Sequence, residues 1–194
     1  MAAKDVEQIR SIFDDAVASH TRFVATGLDD VARAASAVAR AIAAGQKVLA
    51  FGNGGSAADA QHLASELVGR FELERGGLRA LALTTDASVV TSIANDYGYV
   101  EIFARQIEAL GATGDVALGI STSGTSANVE KALAQAKARG LVTIALTGRD
   151  GGRMGASADI HINVAENSTA RVQEVHRTIL HAMCALIDGT LASR

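Results

Sequence analysis

Two patterns of apolar and polar positions alternate along the chain. Short apolar runs at Val48–Phe51, Leu78–Leu83, Asp115–Ile120, Leu141–Leu146 and Asp159–Val164 predict five strands. Between them apolar residues recur at helical spacing. Val6, Ile9, Ile12, Phe13, Ala16 and Val17 predict a helix over residues 4–25, broken at Gly27. An alanine-rich helix from Asp29 to Ala44 stops at Gly45, a natural C-cap. Further helices are predicted from the Gly52–Ser56 turn to Arg70, over Ala87–Ala94, Val100–Leu110, Ala127–Arg139 and Thr169–Leu191. Strands of four to six residues alternating with helices point to a parallel sheet covered on both faces. The expected fold is α/β: three layers, α/β/α, with a five-stranded parallel sheet of the flavodoxin-like, doubly wound kind. One domain over residues 1–194 is expected, with an N-terminal helical arm at about 1–45. That arm serves either packing and oligomerisation or as one covering layer of the domain.

Ligands in such folds bind beyond the carboxyl ends of the strands. Two polar loops fall there. The first, Gly52-Asn53-Gly54-Gly55-Ser56, joins an apolar strand to a helix. Glycines permit a tight turn, and the free N–H groups of the next helix favour an anion such as phosphate. Ser56 is placed to act as N-cap and to add a hydroxyl. Gly52-x-Gly54-x-x-Ala57 fits a loose dinucleotide pattern, but the required acid about twenty residues on is not clear. No Gly-Lys-Ser/Thr follows, so the loop is not a P-loop. The second loop carries five hydroxyls in six residues, Ser121, Thr122, Ser123, Thr125 and Ser126, again between strand and helix. Hydroxyls and backbone N–H groups hold phosphate without lysine or arginine.

His62 and Glu66 stand four residues apart and share a helix face. Alone they read as a surface ion pair. The last helix adds Gln173, Glu174, His176 and His181, and histidine with carboxylate suits zinc or a similar divalent ion. Gln173 and His181 lie about 12 Å apart along a helix and roughly 80° around it. One ion reaches both near the limit of their side chains, so the site is expected where subunits meet, a neighbour supplying a ligand or closing the pocket. His20 and His161 read as surface or strand filler and Cys184 as core. Tyr97 and Tyr99, flanking an Asn95-Asp96 turn, read as packing residues.

Composition changes this picture little. The chain is 48% hydrophobic and 20% charged, with mean hydropathy +0.20 and no proline. A net charge of −3 argues against a nucleic-acid surface. The single cysteine has no internal disulfide partner, as in a reducing compartment. No signal peptide is visible at the N-terminus, and no apolar run nears the ~20 residues that span a bilayer. A cytoplasmic protein without membrane attachment is expected.

Taken together, FGNGGSAADAQHLASELVGRF, TTDASVVTSIANDYGY, STSGTSANV, TGRDGG and RVQEVHRTILHAMCALID resemble the phosphoheptose isomerases of the sugar isomerase (SIS) family over nearly the whole chain. The resemblance implies a cytoplasmic homotetramer with sites at subunit interfaces. It implies conversion of sedoheptulose 7-phosphate to D-glycero-D-manno-heptose 7-phosphate, early in the route to the heptoses of lipopolysaccharide core. It also implies one zinc ion per subunit, bound by His62, Glu66, Gln173 and His181. Substrate contacts would come from Asn53, Gly54, Gly55 and Ser56, from Glu66 and Gln173, and from the Asn95-Asp96 pair. Ser121, Thr122, Ser123 and Ser126 match the family's phosphate loop, and Glu66 and His181 its base and acid. Ser126-Ala127-Asn128 and Arg75-Gly76 depart from the family's Ser-Pro-Asn and Arg-Pro. Neither departure touches a proposed ligand, so they bear on loop rigidity. Two alternatives share the resemblance. One is a non-enzymatic scaffold that binds the bacterial replication initiator and lacks equivalents of Glu66 and His181. The other is an isomerase for a phosphosugar of another chain length.

Overall fold

Strand β1 (Val48–Gly52) is buried at every position, and so is β3 (Val116–Ser121). Alternate residues explain why: Val48, Ala50, Val116, Leu118 and Ile120 enter one apolar cluster, Leu49, Phe51 and Ala117 a second on the opposite face. A strand covered on both faces has no polar side to show. The computed structural model, which describes residues 3–192, adds β2 (Ala80–Ala82), β4 (Val142–Gly148) and β5 (Ile160–Val164) to an all-parallel sheet of order β2-β1-β3-β4-β5. The helices are α1 (Ala3–Val24), α2 (Leu28–Ala43), α3 (Gly55–Val68), α4 (Ala87–Tyr97), α5 (Ala104–Leu110), α6 (Ala127–Ala138), α7 (Gly152–Ser157) and α8 (Thr169–Ala192). Residues of α2, α3 and α8 join the first cluster; those of α5 and α6 join the second.

This order places a topological switch between β1 and β3. From β1 the chain crosses one way to β2 through α3, and from β3 it crosses the other way to β4 through α6. Right-handed crossovers therefore put α3 and α6 on opposite faces. The loops after β1 and β3 part at the carboxyl ends of neighbouring strands and leave a crevice there. Among the described residues no helix is long and apolar enough to cross a membrane.

Five local expectations need correction. Strand β2 keeps only three of the six residues expected, because it is an edge strand with Leu81 41% exposed and little to pack on. Helix α4 runs past Ala94 to Tyr97, so Asn95 and Asp96 lie in its last turn and not in a reverse turn. The helix expected from Val100 is a 3₁₀ turn, Tyr99–Glu101, followed by the shorter α5. A short helix, α7, begins within the Gly-rich loop after β4. Helix α3 starts two residues early, with Gly54 in the cap position, so Ser56 is buried in its first turn and caps nothing. At the N-terminus, α2 buries Val31, Ala34, Ala35 and Val38 in the first cluster. By contrast, α1 packs on α8 and leaves Val6, Ile9, Phe13 and Val17 exposed.

Candidate active site

Helices α3 and α8 lie side by side on one face of the sheet. Across their seam His62 Nε2 stands 2.8 Å from His181 Nε2. Glu66 Oε1 lies 3.4 Å from His62 Nε2, and the three donor atoms all fall within 4.8 Å of one another. Two imidazole nitrogens and a carboxylate oxygen converging in this way form a group able to hold a metal ion. Burial and the Arg177 guanidinium hold the His62 pKa below its ordinary value, against the pull of Glu66. The neutral ring this favours is the form that ligates metals. Phe71 packs against the His181 ring, tilted at 33° with 5.5 Å between centroids. All three donors come from one chain, so no neighbour is needed to assemble them. Gln173 lies two turns before His181 on α8, against Gly55 at the start of α3, where a Cβ would overlap its amide. Its side chain makes no hydrogen bond among the described residues.

Two further contacts fix the seam; the sequence reading named Arg75 only for its loop and did not single out Asp59, Arg177 or Asp188. Asp59, 4% exposed, pairs with Arg177 at 2.7 Å. Burial pushes the Asp59 pKa up, while Arg177 pulls the other way. Lower down, Arg75 joins the last turn of α3 to α8. Its guanidinium donates to the carbonyls of Glu66 (2.8 Å) and Leu67 (2.9 Å) and pairs with buried Asp188 at 2.6 Å. Helical spacing held a signal for both. Asp59 is three residues before His62, and Arg177 lies midway between Gln173 and His181.

The crevice at the sheet's switch point gathers the two loops. Asn53 and Asn128 exchange amide hydrogen bonds of 2.9 and 2.8 Å, and the Tyr99 hydroxyl donates to Asn53 Oδ1 at 3.0 Å. Asn128 and Tyr99 thus orient Asn53, a role the sequence reading gave to neither. In the second loop Ser121 Oγ lies 2.8 Å from Ser126 Oγ and 3.3 Å from Ser123 Oγ, and Ser123 Oγ accepts from Thr125 at 3.0 Å. These hydroxyls form one cluster at the entrance to α6. Gly124, with φ +66°, backs that loop onto Gly151, whose carbonyl a side chain would overlap.

Asn95 donates to Asp96 Oδ1 at 2.9 Å, and Asp96 lines a different space, a cavity of about 680 Å³ between β2, α4 and α5. The two are therefore not gathered with the His62 cluster. Neither His20 nor His161 is isolated: His20 Nε2 meets Thr178 Oγ1 at 2.9 Å, and His161 Nε2 meets Thr147 Oγ1 at 2.7 Å. Cys184 is fully buried, with its thiol pKa pushed up to about 12 by burial.

Residues 12–148 match the family model described as SIS domain. A phosphoheptose isomerase of Halorhodospira halophila is 51% identical over 188 residues, 95% of each chain. One from Geotalea daltonii is 56% identical over 161 residues, 83% of this chain and 84% of its own. Among solved structures, a phosphoheptose isomerase of Neisseria gonorrhoeae superposes with TM-score 0.90 at 44% identity, covering 94% of this chain and 98% of its own. That of Francisella tularensis gives 0.92 at 37% identity, over 97% and 100%. Likeness at this identity over nearly the full length makes the chain a member of the SIS-domain family, among its phosphoheptose isomerases.

Proposed function

We propose that the protein isomerises sedoheptulose 7-phosphate to D-glycero-D-manno-heptose 7-phosphate, an early step toward the heptoses of lipopolysaccharide core. The observation that carries this reading is the convergence of Glu66 with His62 and His181 across the α3–α8 seam. A scaffold that only binds a partner has no use for such a group, and family membership supplies the substrate class.

Aldose–ketose exchange moves a proton between adjacent carbons through an enediol. Glu66 removes that proton and returns it to the neighbouring carbon, and His181 moves protons at the sugar oxygens, each worth about 10²–10⁴ in rate. One Glu66 oxygen faces His62 at 3.4 Å, which leaves the other for the proton. His62, Glu66, His181 and Gln173 would hold one zinc ion per subunit. When bound, zinc supplies Lewis-acid polarisation of the carbonyl. The phosphate rests among Ser121, Thr122, Ser123 and Ser126, with the sugar against Asn53, Gly54, Gly55 and Ser56 and, from α4, Asn95 and Asp96. His62 and Glu66 lie about two and three turns down α3 from the glycine loop. That separation suits a substrate whose phosphate and reacting carbons are at opposite ends.

The chain acts as one domain, in the cytoplasm, within a homotetramer whose subunits meet near the sites. The exposed apolar face of α1 supports the assembly. Turnover by the purified protein, chelated and then resupplied with zinc, tests the reading. Aldoheptose 7-phosphate formation that falls with chelation and returns with zinc is expected. Absence of turnover by zinc-loaded protein would refute it.

A further inference from the structure

Helices α3 and α8 meet in three steps, one per helical turn. Gly55 faces Gln173, Asp59 faces Arg177, and His62 faces His181. The outer steps belong to the proposed metal and substrate site. The middle step is ionic, and half of it is deeply placed, the Asp59 side chain being 5% exposed against 36% for Arg177. A Gly–Gln contact and a pair of imidazoles allow two helices to slide. A guanidinium held on a buried carboxylate does not, because any shift leaves that charge unpaired in a poor solvent. Arg177 is also four residues from each of Gln173 and His181, so it moves with both.

We propose that the Asp59–Arg177 pair positions the metal ligands, fixing the register of α8 against α3 so that Gln173 and His181 address the same ion as His62 and Glu66. This rests on the zinc reading above. Neither residue supplies one of the converging donor atoms, and the pair's effect is exerted through the ligands. Groups that orient ligands from behind typically change metal affinity by about 10–100-fold when removed.

The test is zinc affinity by competition with a chromophoric chelator, alongside the visible spectrum of the cobalt-loaded protein and a thermal melt. Arg177→Met leaves Asp59 unpaired, so Asp59→Asn/Arg177→Leu is made as well, removing the pair without stranding a charge. Expected are about 10–100-fold weaker zinc binding in the double variant and an altered cobalt spectrum. Arg177→Lys should restore most of the affinity. A folded double variant with unchanged affinity and spectrum overturns the inference alone. A wild-type protein that binds no zinc overturns the metal reading and this inference with it.

Discussion

The α3–α8 seam and the β2–α4–α5 edge belong to one sheet but are fixed by different means. Helix α8 buries Val172, Val175, Ile179, Leu180, Met183 and Ile187, and two arginine–carboxylate pairs tie it to α3 or to its last turn. No residue of α4 is buried, β2 has three residues, and a cavity of about 680 Å³ opens between them and α5. The seam brings its proposed site residues together: His62, Glu66 and His181 converge across it. The edge does not, since Asn95 donates to Asp96 and Asp96 lines the cavity. Convergence follows packing: the packed seam gathers its residues and the open edge does not.

The strongest way to break this contrast is Arg75→Met. It strands Asp188, 2% exposed, and frees the last carbonyls of α3. A cost of about 3–5 kcal/mol is expected, read as a fall of about 10 °C in Tm. A melt within about 2 °C of the wild type would show that the Arg75–Asp188 pair adds nothing to the seam.

His176 probes the other side of α8. It is fully buried, its Nε2–H donates to the Thr147 carbonyl at 2.9 Å, Nδ1 has no partner among the described residues, and burial lowers its pKa from 6.5 to about 4. The unfolded chain takes up this proton first, so stability rises with pH between about 4 and 6.5 and is level above. Acidification across that window should cost about 3 kcal/mol in denaturant unfolding, a slope that His176→Phe flattens. An identical slope in the variant would assign the acid sensitivity elsewhere.

Ser121→Ala removes a hydroxyl from the cluster at the α6 entrance. If that cluster holds the phosphate, KM rises about 10–100-fold with kcat little changed, the value of a hydrogen bond to a charged group. Unchanged kinetics would remove Ser121 from the phosphate site. Asp96→Ala sharpens the contrast from the edge. Folding stability should move by less than about 0.5 kcal/mol, because the residue lies on a helix with nothing buried. A larger destabilisation would mean the edge is as firmly packed as the seam.

The same contrast decides what the sequence disclosed. Strands β1, β3 and β4 were legible because burial on both faces writes a mainly apolar run, β5 because buried Ile160, Ile162 and Val164 alternate with His161 and Asn163, and α8 because its face is long and periodic. The edge read poorly. Helix α4 carries Asn95 and Asp96, residues common in turns, and nothing in local propensity says the helix continues through them. Within the site, His62, Glu66 and His181 stood out by residue type. Asp59 and Arg177 did not, since a lone acid and a lone base on separate helices look like solvated charges until the helices are laid together. Asn128 was hidden for the same reason: its partner Asn53 is 75 residues away in the chain.

The central claim is that Glu66 and His181, held together on the seam, carry the isomerisation. The most direct test compares turnover of sedoheptulose 7-phosphate by the wild-type protein, Glu66→Gln and His181→Ala, each shown by circular dichroism and melting to be folded. The wild type should form aldoheptose 7-phosphate, and each variant should lose about 10²–10⁴ in kcat. Wild-type turnover in either folded variant would contradict it.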